Sequence, residues 1–307
     1  MIHGLGTALI TPFTATGEVD YKALDALLDI QLQGSVDFLV VLGTTAEAAT
    51  MTELEKLHVL QFVIRKVNGR LPLVLGLGGN NTQALINRIN NQQIAISKYC
   101  EAILSVCPYY NKPSQEGLYQ HFVAIAKASP VPIILYNVPG RTGVNMLPET
   151  VMRIYETCPD KIMGIKEASG NLDQIKRLIA LRDNYQLSTS KLDGFSKLST
   201  FNSKLKIYSG DDNLAAELMS AGADGLISVA SNAFPKDFAT IVHEADHALQ
   251  ERYAEMVNLL FKEGNPSGIK TILSQMGVIQ NNLRLPLVPN SVNVQKEIEQ
   301  CIHSLLH

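Results

Sequence analysis

The chain reads as an α/β protein, a (β/α)8 TIM barrel followed by a C-terminal helical domain. Three observations predict this. Eight short apolar, β-rich runs recur along the 307 residues, with amphipathic helical stretches between them. Most run ends fall about 30 residues apart, the length of a strand–loop–helix unit in a parallel sheet. Strand signals then stop after about Phe234. Eight such units close into a barrel, whereas a doubly wound open sheet usually has fewer strands. The boundaries expected are 1–233 for the catalytic barrel and 234–307 for the helical domain.

The expected strands are Gly6–Ile10, Phe38–Leu42, Leu73–Leu77, Ala102–Cys107, Pro132–Tyr136, Ile162–Lys166, Leu205–Tyr208 and Gly225–Val229. Tyr21–Gln33 and Leu54–Val67 carry apolar residues at helical spacing, and Ala245–Leu260 and Val294–Leu306 read as helices of the second domain. One spacing departs from the rest: 43 residues separate Lys166 from Ser209. The excess, Asn184–Ser203, is rich in Ser, Thr, Asn and Lys and reads as a surface insertion.

In such a barrel the active site lies at the carboxyl ends of the strands, and the unusual residues fall there. "GTTAE" (Gly43–Glu47) follows the second strand; Thr44 and Glu47 have the spacing of a helix capping box, and the same turn suits a carboxylate. "CPYYNKPSQEG" follows the fourth and holds Tyr109 and Tyr110. The fifth ends in "YNVPGRTG", with Tyr136 inward and Arg141 in a Gly/Pro-rich loop. The sixth ends in "GIKEASG". Alternation puts Ile162, Gly164 and Lys166 on one face and Met163 and Ile165 on the other, with Gly164 relieving bulk beneath the lysine.

A lysine at such a point has two readings. It snorkels to water, or it is kept partly neutral so that its amine attacks a carbonyl. Tyr136 and Lys166 stand 30 residues apart, at equivalent depths on consecutive strands. Parallel neighbours lie about 4.8 Å apart, so a phenol and an amine can meet above the core. Asp211 and Asp212 in "YSGDD" have no histidine or third carboxylate at ligand spacing and suit a helix start better than a metal.

Net charge is −3 with no dense Lys/Arg block, which lacks the footprint of a nucleic-acid binder. No apolar run reaches the roughly 18 residues that span a bilayer, and the start, Met1–Gly4, lacks the pattern of a signal peptide. A cytoplasmic protein is expected. The four cysteines, Cys100, Cys107, Cys158 and Cys301, show no CxxC pairing and read as reduced thiols, Cys107 as an apolar filler.

"GTTAE", "PYYNKPSQEGLYQHF", "YNVPGRTG", "GIKEASGNLDQI", "SGDD", "GLISVASN" and "LRLPLVP" occur in this order over nearly the whole chain. Together they resemble the dihydrodipicolinate synthases of the pyruvate-dependent class I aldolase superfamily. The resemblance implies condensation of pyruvate with L-aspartate-4-semialdehyde, without metal or external cofactor. It implies Lys166 as the Schiff-base amine, Tyr136 as proton shuttle, and Thr45 in a relay with Tyr110 of a neighbouring subunit. Thr44 and Thr45 would take the pyruvate carboxylate, Arg141 the semialdehyde carboxylate, and Gly210 and Ile227 would line the pocket. A homo-oligomer, a dimer of dimers, is implied as well. Ala48, Ala49, Glu53, Lys56, Asn80, Ala84 and Tyr109 match the cleft where lysine-sensitive relatives bind their inhibitor, but Ala48 replaces a serine there, Glu53 and Lys56 replace histidines, and Ala84 replaces a glutamate. Two departures stand out: Ala46 replaces a usual glycine, and "NPSGIK" (Asn265–Lys270) replaces "NPIPVK". The rival readings are an N-acetylneuraminate lyase-like or 2-keto-3-deoxy sugar acid aldolase, against which "GRTG" argues, and a catalytically silent metabolite-binding barrel.

Overall fold

The computed structural model describes residues 2–190 and 204–306. Eight parallel strands close in chain order into a barrel: β1 Gly4–Ala8, β2 Phe38–Val41, β3 Leu73–Gly76, β4 Ala102–Val106, β5 Ile133–Asn137, β6 Ile162–Glu167, β7 Lys206–Ser209 and β8 Gly225–Ser228. Pairing of Gly4 with Gly225 through Thr7 with Ser228 shuts the ring. All eight expected runs are strands, with shifted ends. Leu9 and Ile10 are buried and apolar, but the Ile10 N–H turns to the side chain of Asn232 and leaves the ladder.

Alternating side chains divide the core in two. Ala8, Phe38, Val40, Val74, Leu104, Ile134, Tyr208 and Ile227 fill the barrel. Leu39, Leu75, Ile103, Leu135, Ile165 and Ile207 meet the surrounding helices. The sixth strand breaks its alternation. Ile133 pairs with Ile162 and Ile134 with Gly164, so Met163 is the extra residue of a bulge and packs against the interior cluster. Ile162 therefore faces the helices, not the side shared by Lys166 as simple alternation expects. A bulge shifts the pattern by one residue.

Helices begin where the sequence supplies caps. Asp20 accepts from the Ala23 N–H ahead of Tyr21–Gln33, and Thr52 with Glu55 forms a capping box ahead of Glu53–Val67. The insertion expected at Asn184–Ser203 starts as helix, since Leu172–Ser190 is one continuous element. A nucleated helix gains one hydrogen bond per added residue, which carries it through Ser and Thr of modest propensity. The remainder of that segment, 191–203, lies outside the described residues.

Pro235–Glu244 packs against β1 and β8. His247–Lys262, Ser267–Gln275 and Val292–Leu306 follow as a helical region. The loop Met276–Ser291 returns from it to the barrel mouth, and Asn282 donates to the Phe13 carbonyl. Among the described residues no helix is long and apolar enough to cross a membrane.

Candidate active site at the carboxyl end of the barrel

Tyr136, Lys166 and Tyr208 occupy one register level on β5, β6 and β7. Lys166 is 5% exposed, and its Nζ stands 4.6 Å from the centre of the Tyr136 ring. Tyr208 is turned away, donating its hydroxyl to the Ile2 carbonyl at 2.8 Å. The room for the lysine comes from Gly210: a Cβ there would lie 2.9 Å from Lys166 Cε and 2.5 Å from Ala168 Cβ. Gly164, expected to serve this purpose, does something else. Its missing Cβ would strike the Lys206 carbonyl oxygen at 2.4 Å, so it permits close approach of β7.

The residues that follow the pair hold it in place. Asn137 and Glu167 are themselves register partners, and Asn137 Nδ2 donates to Glu167 Oε2 at 2.9 Å. Gln174 and the Ser169 N–H donate to the same carboxylate, while Asn137 Oδ1 accepts from Met146 N–H. Burial raises the Glu167 carboxyl against these hydrogen bonds. On the far side Asp212, wholly buried, accepts from Ser228 Oγ at 2.5 Å and from Val229 N–H at 3.1 Å. It ties the end of β7 to the end of β8, while Asp211 caps the intervening turn at Asn213. Only Asp211 thus plays the expected helix-start role. Cys107 is buried, and burial pushes its thiol up to about 12, as befits an inert filler.

The turn after β2 differs from its expected form. Thr44–Ala46 is a single 3-10 turn with no side-chain cap, so Thr44 and Glu47 make no capping box. The first N–H groups of such a turn have no acceptor within it. Ala46 is unstrained: the left-handed positions flanking the turn are Leu42 at φ 62° and Glu47 at φ 55°. Glu47 is held there from the helical region. Lys270 lies 2.5 Å from its Oε1, both side chains fully buried, and the Arg284 N–H donates to Oε2 at 3.0 Å. The Arg284 guanidinium also grips Glu55, Thr50 and Gly17. Asn265 adds a third tie, its Nδ2 donating to Thr45 Oγ1 at 2.9 Å.

Thr44, Thr45, Tyr136, Arg141, Lys166 and Gly210 line one cavity of about 190 Å³, together with Val229, Phe261 and Asn265. Arg141 is exposed and donates from Nη2 to the Asn265 carbonyl at 3.0 Å. Two expected residues are not on this cavity's wall, and for Tyr110 the expected place is a neighbouring subunit's site. Ile227 is fully buried in the barrel interior, and Val229 forms the wall instead. Tyr110 is 89% exposed at φ 72°, its loop fixed by an Asn80 Nδ2 bond to the Tyr109 carbonyl. A second cavity of about 470 Å³ shares Thr44, Tyr136 and Arg141 and runs to Tyr109, Lys56 and Arg88. Sequence reasoning missed the inward roles of Asn265, Lys270 and Arg284. Their motifs, "NPSGIK" and "LRLPLVP", carried the signal, but nothing local says what they touch.

A closed barrel with a shielded lysine beside a phenol, lining one cavity with the Thr44–Ala46 turn, has the architecture of a class I aldolase-type lyase. The chain belongs to the dihydrodipicolinate synthetase family, whose model matches residues 1–305. It is 44% identical to the 4-hydroxy-tetrahydrodipicolinate synthase of Parabacteroides distasonis, over 99% of this chain and 97% of that one. The enzyme of the same name from Azobacteroides pseudotrichonymphae is 47% identical over 94% of this chain and 92% of its own. Among solved structures, dihydrodipicolinate synthase from Thermotoga maritima superposes with a TM-score of 0.89 at 35% identity, covering 99% of each chain. The chloride-inhibited Acinetobacter baumannii synthase complexed with pyruvate gives 0.88 at 36% identity, again over 99% of each. A monomeric dihydrodipicolinate synthase variant gives 0.89 at 35% identity, over 99% of this chain and 97% of that one.

Proposed function

We propose that this protein condenses pyruvate with L-aspartate-4-semialdehyde to 4-hydroxy-tetrahydrodipicolinate, with Lys166 as its nucleophile. The observation that carries the reading is the Lys166–Tyr136 register pair, an enclosed amine against a phenol. The Lys166 amine adds to the pyruvate ketone and water leaves, giving an imine. The protonated imine acts as electron sink, so that the methyl group gives up a proton to the Tyr136 shuttle and the enamine forms. Its carbon bonds to the aldehyde carbon of the second substrate, whose own amine then displaces Lys166 and closes the ring. Tyr136 shuttles the protons, relayed by Thr45 and by Tyr110 of a second copy. Thr44 and Thr45 take the pyruvate carboxylate, Arg141 that of the semialdehyde, and Gly210 lines the pocket while Ile227 supports it from the barrel interior.

The assembly in this proposal is a homo-oligomer, a pair of tight dimers, in the cytoplasm. An 89%-exposed tyrosine ring on a left-handed residue is poorly explained in a lone chain. The proposal divides the chain at 233/234 into the catalytic barrel and a helical domain, with Pro235–Glu244 seated on β1.

The test is borohydride reduction in the presence of pyruvate, followed by peptide mapping. One adduct on Lys166 is expected, with none in Lys166→Ala or in Lys166→Arg, whose guanidinium forms no imine. Trapping that persists in Lys166→Ala would sink the assignment.

A further inference from the structure

Asn265 belongs to the helical region, yet it touches two arms of the site. Its side-chain Nδ2 donates to Thr45 Oγ1 at 2.9 Å, and its main-chain carbonyl accepts from Arg141 Nη2 at 3.0 Å. The residue is 6% exposed and lines the cavity. Its Oδ1 is buried with no partner among the described residues. Turning the amide over would leave the buried NH2 group with no protein acceptor, and buried orphan donors are rarer in proteins than under-satisfied carbonyls. The donor therefore points at Thr45.

We propose that Asn265 is a positioning residue that sets the polarity of the Thr45 hydroxyl. A hydroxyl has one proton and two lone pairs. With one lone pair taken by Asn265, the Thr45 proton is left to point into the cavity, toward the phenols of the relay. Thr45 thus enters the relay as a donor, held so before substrate arrives. The inference rests on the relay role given to Thr45 above. It also gives the helical region a specific part in the chemistry, since a barrel lacking residue 265 would leave that hydroxyl free to rotate.

Asn265→Asp keeps the shape of the side chain and removes the donor, and it leaves the main-chain bond to Arg141 in place. The enzyme is assayed at saturating pyruvate and aldehyde, with melting temperature measured alongside. At neutral pH kcat is expected to fall about ten- to a hundredfold, the scale of one mispaired buried polar group. The loss should shrink as pH falls, because a protonated carboxyl at 265 can donate again. Lys166, Tyr136, Arg141 and Asp211 face the same cavity; they are common to both proteins and cancel in the ratio of variant to wild type.

A new charge could also repel the pyruvate carboxylate, but that raises KM and does not need Thr45. In a Thr45→Ala background, Asn265→Asp is therefore expected to cost no further kcat. A loss that is equal at all pH values, follows the melting temperature, or survives undiminished without the Thr45 hydroxyl overturns the proposal. A wild-type protein that fails to trap pyruvate would count against the function instead. Neutron diffraction on deuterium-exchanged crystals then still decides the polarity. The proposal expects an Asn265 amide deuteron on the line to Thr45, and a Thr45 deuteron on that line overturns it.

Discussion

Lys270 and Glu47 form an ion pair 2.5 Å apart with neither side chain exposed, joining the helical region to the turn that carries Thr44 and Thr45. Burial pushes the Lys270 ammonium down to about 8, although Glu47 pulls the other way. The pair holds Glu47 in its left-handed conformation. Lys270→Met strands a buried carboxylate and is expected to cost about 3–5 kcal/mol in urea unfolding. Adding Glu47→Gln should recover part of that. A loss below about 1 kcal/mol for the single variant would mean that the pair braces nothing.

Arg141 is an exposed residue that lines the cavity. Arg141→Ala is expected to lower kcat/KM for the semialdehyde about ten- to a hundredfold, the worth of a charge-assisted pair. Pyruvate trapping should stay intact. If trapping collapses while dependence on the aldehyde is unchanged, the residue has been given the wrong substrate.

Tyr110 can be tested by mixing. Tyr110→Phe and Lys166→Ala should each be nearly inactive. In the proposed assembly, co-refolding gives hybrids in which one site has both a native lysine and a native tyrosine from the other copy. Recovery of activity on mixing is expected. Absence of recovery, with hybrids demonstrated by native mass spectrometry, would place Tyr110 outside its neighbour's site.

L-Lysine should inhibit weakly. Lys56 lies 2.8 Å from Glu53, and Arg88 lies 3.4 Å from the same carboxylate. Glu53 is thus engaged by two cations, and cannot freely replace the acidic group missing at Ala84. Each change costs about 1–3 kcal/mol in binding, roughly ten- to a hundredfold. Titration against initial rate at subsaturating pyruvate measures it. Half-inhibition well below about 1 mM, abolished by Tyr109→Ala, would show the cleft still competent.

Asp212 sets a pH dependence of stability. Burial raises its carboxyl to about 6, against the bonds from Ser228 and Val229. The unfolded value is about 4, so the folded protein holds the proton more tightly between the two. This group's stabilising contribution is full below about pH 4 and is lost as pH rises through about 6. Asp212→Asn has no such proton. The stability difference between wild type and variant should therefore change by on the order of 2–3 kcal/mol between those limits. A difference that stays constant across urea titrations from pH 4 to 7 would show that Asp212 keeps an ordinary value in the fold.

The sequence by itself determined the barrel and the place of its chemistry. Side-chain alternation and a repeat of strand and helix are local properties, and they were enough to put Tyr136 and Lys166 on adjacent strands at one level. The motifs at the strand ends were likewise readable one loop at a time. Where local rules met non-local contacts, the tertiary structure decided. The bulge at Met163 moved Ile162 to the other face, because pairing with β5 overrides simple alternation. Gly210, not Gly164, makes room for the lysine, since what a missing Cβ would strike depends on the neighbouring strand. Thr44 and Glu47 had the spacing of a cap, but Glu47 is drawn to Lys270 and Arg284, more than 200 residues further along the chain. No pattern in "NPSGIK" announces that Asn265 reaches Thr45; only packing of the helical region over the barrel mouth brings them within a hydrogen bond.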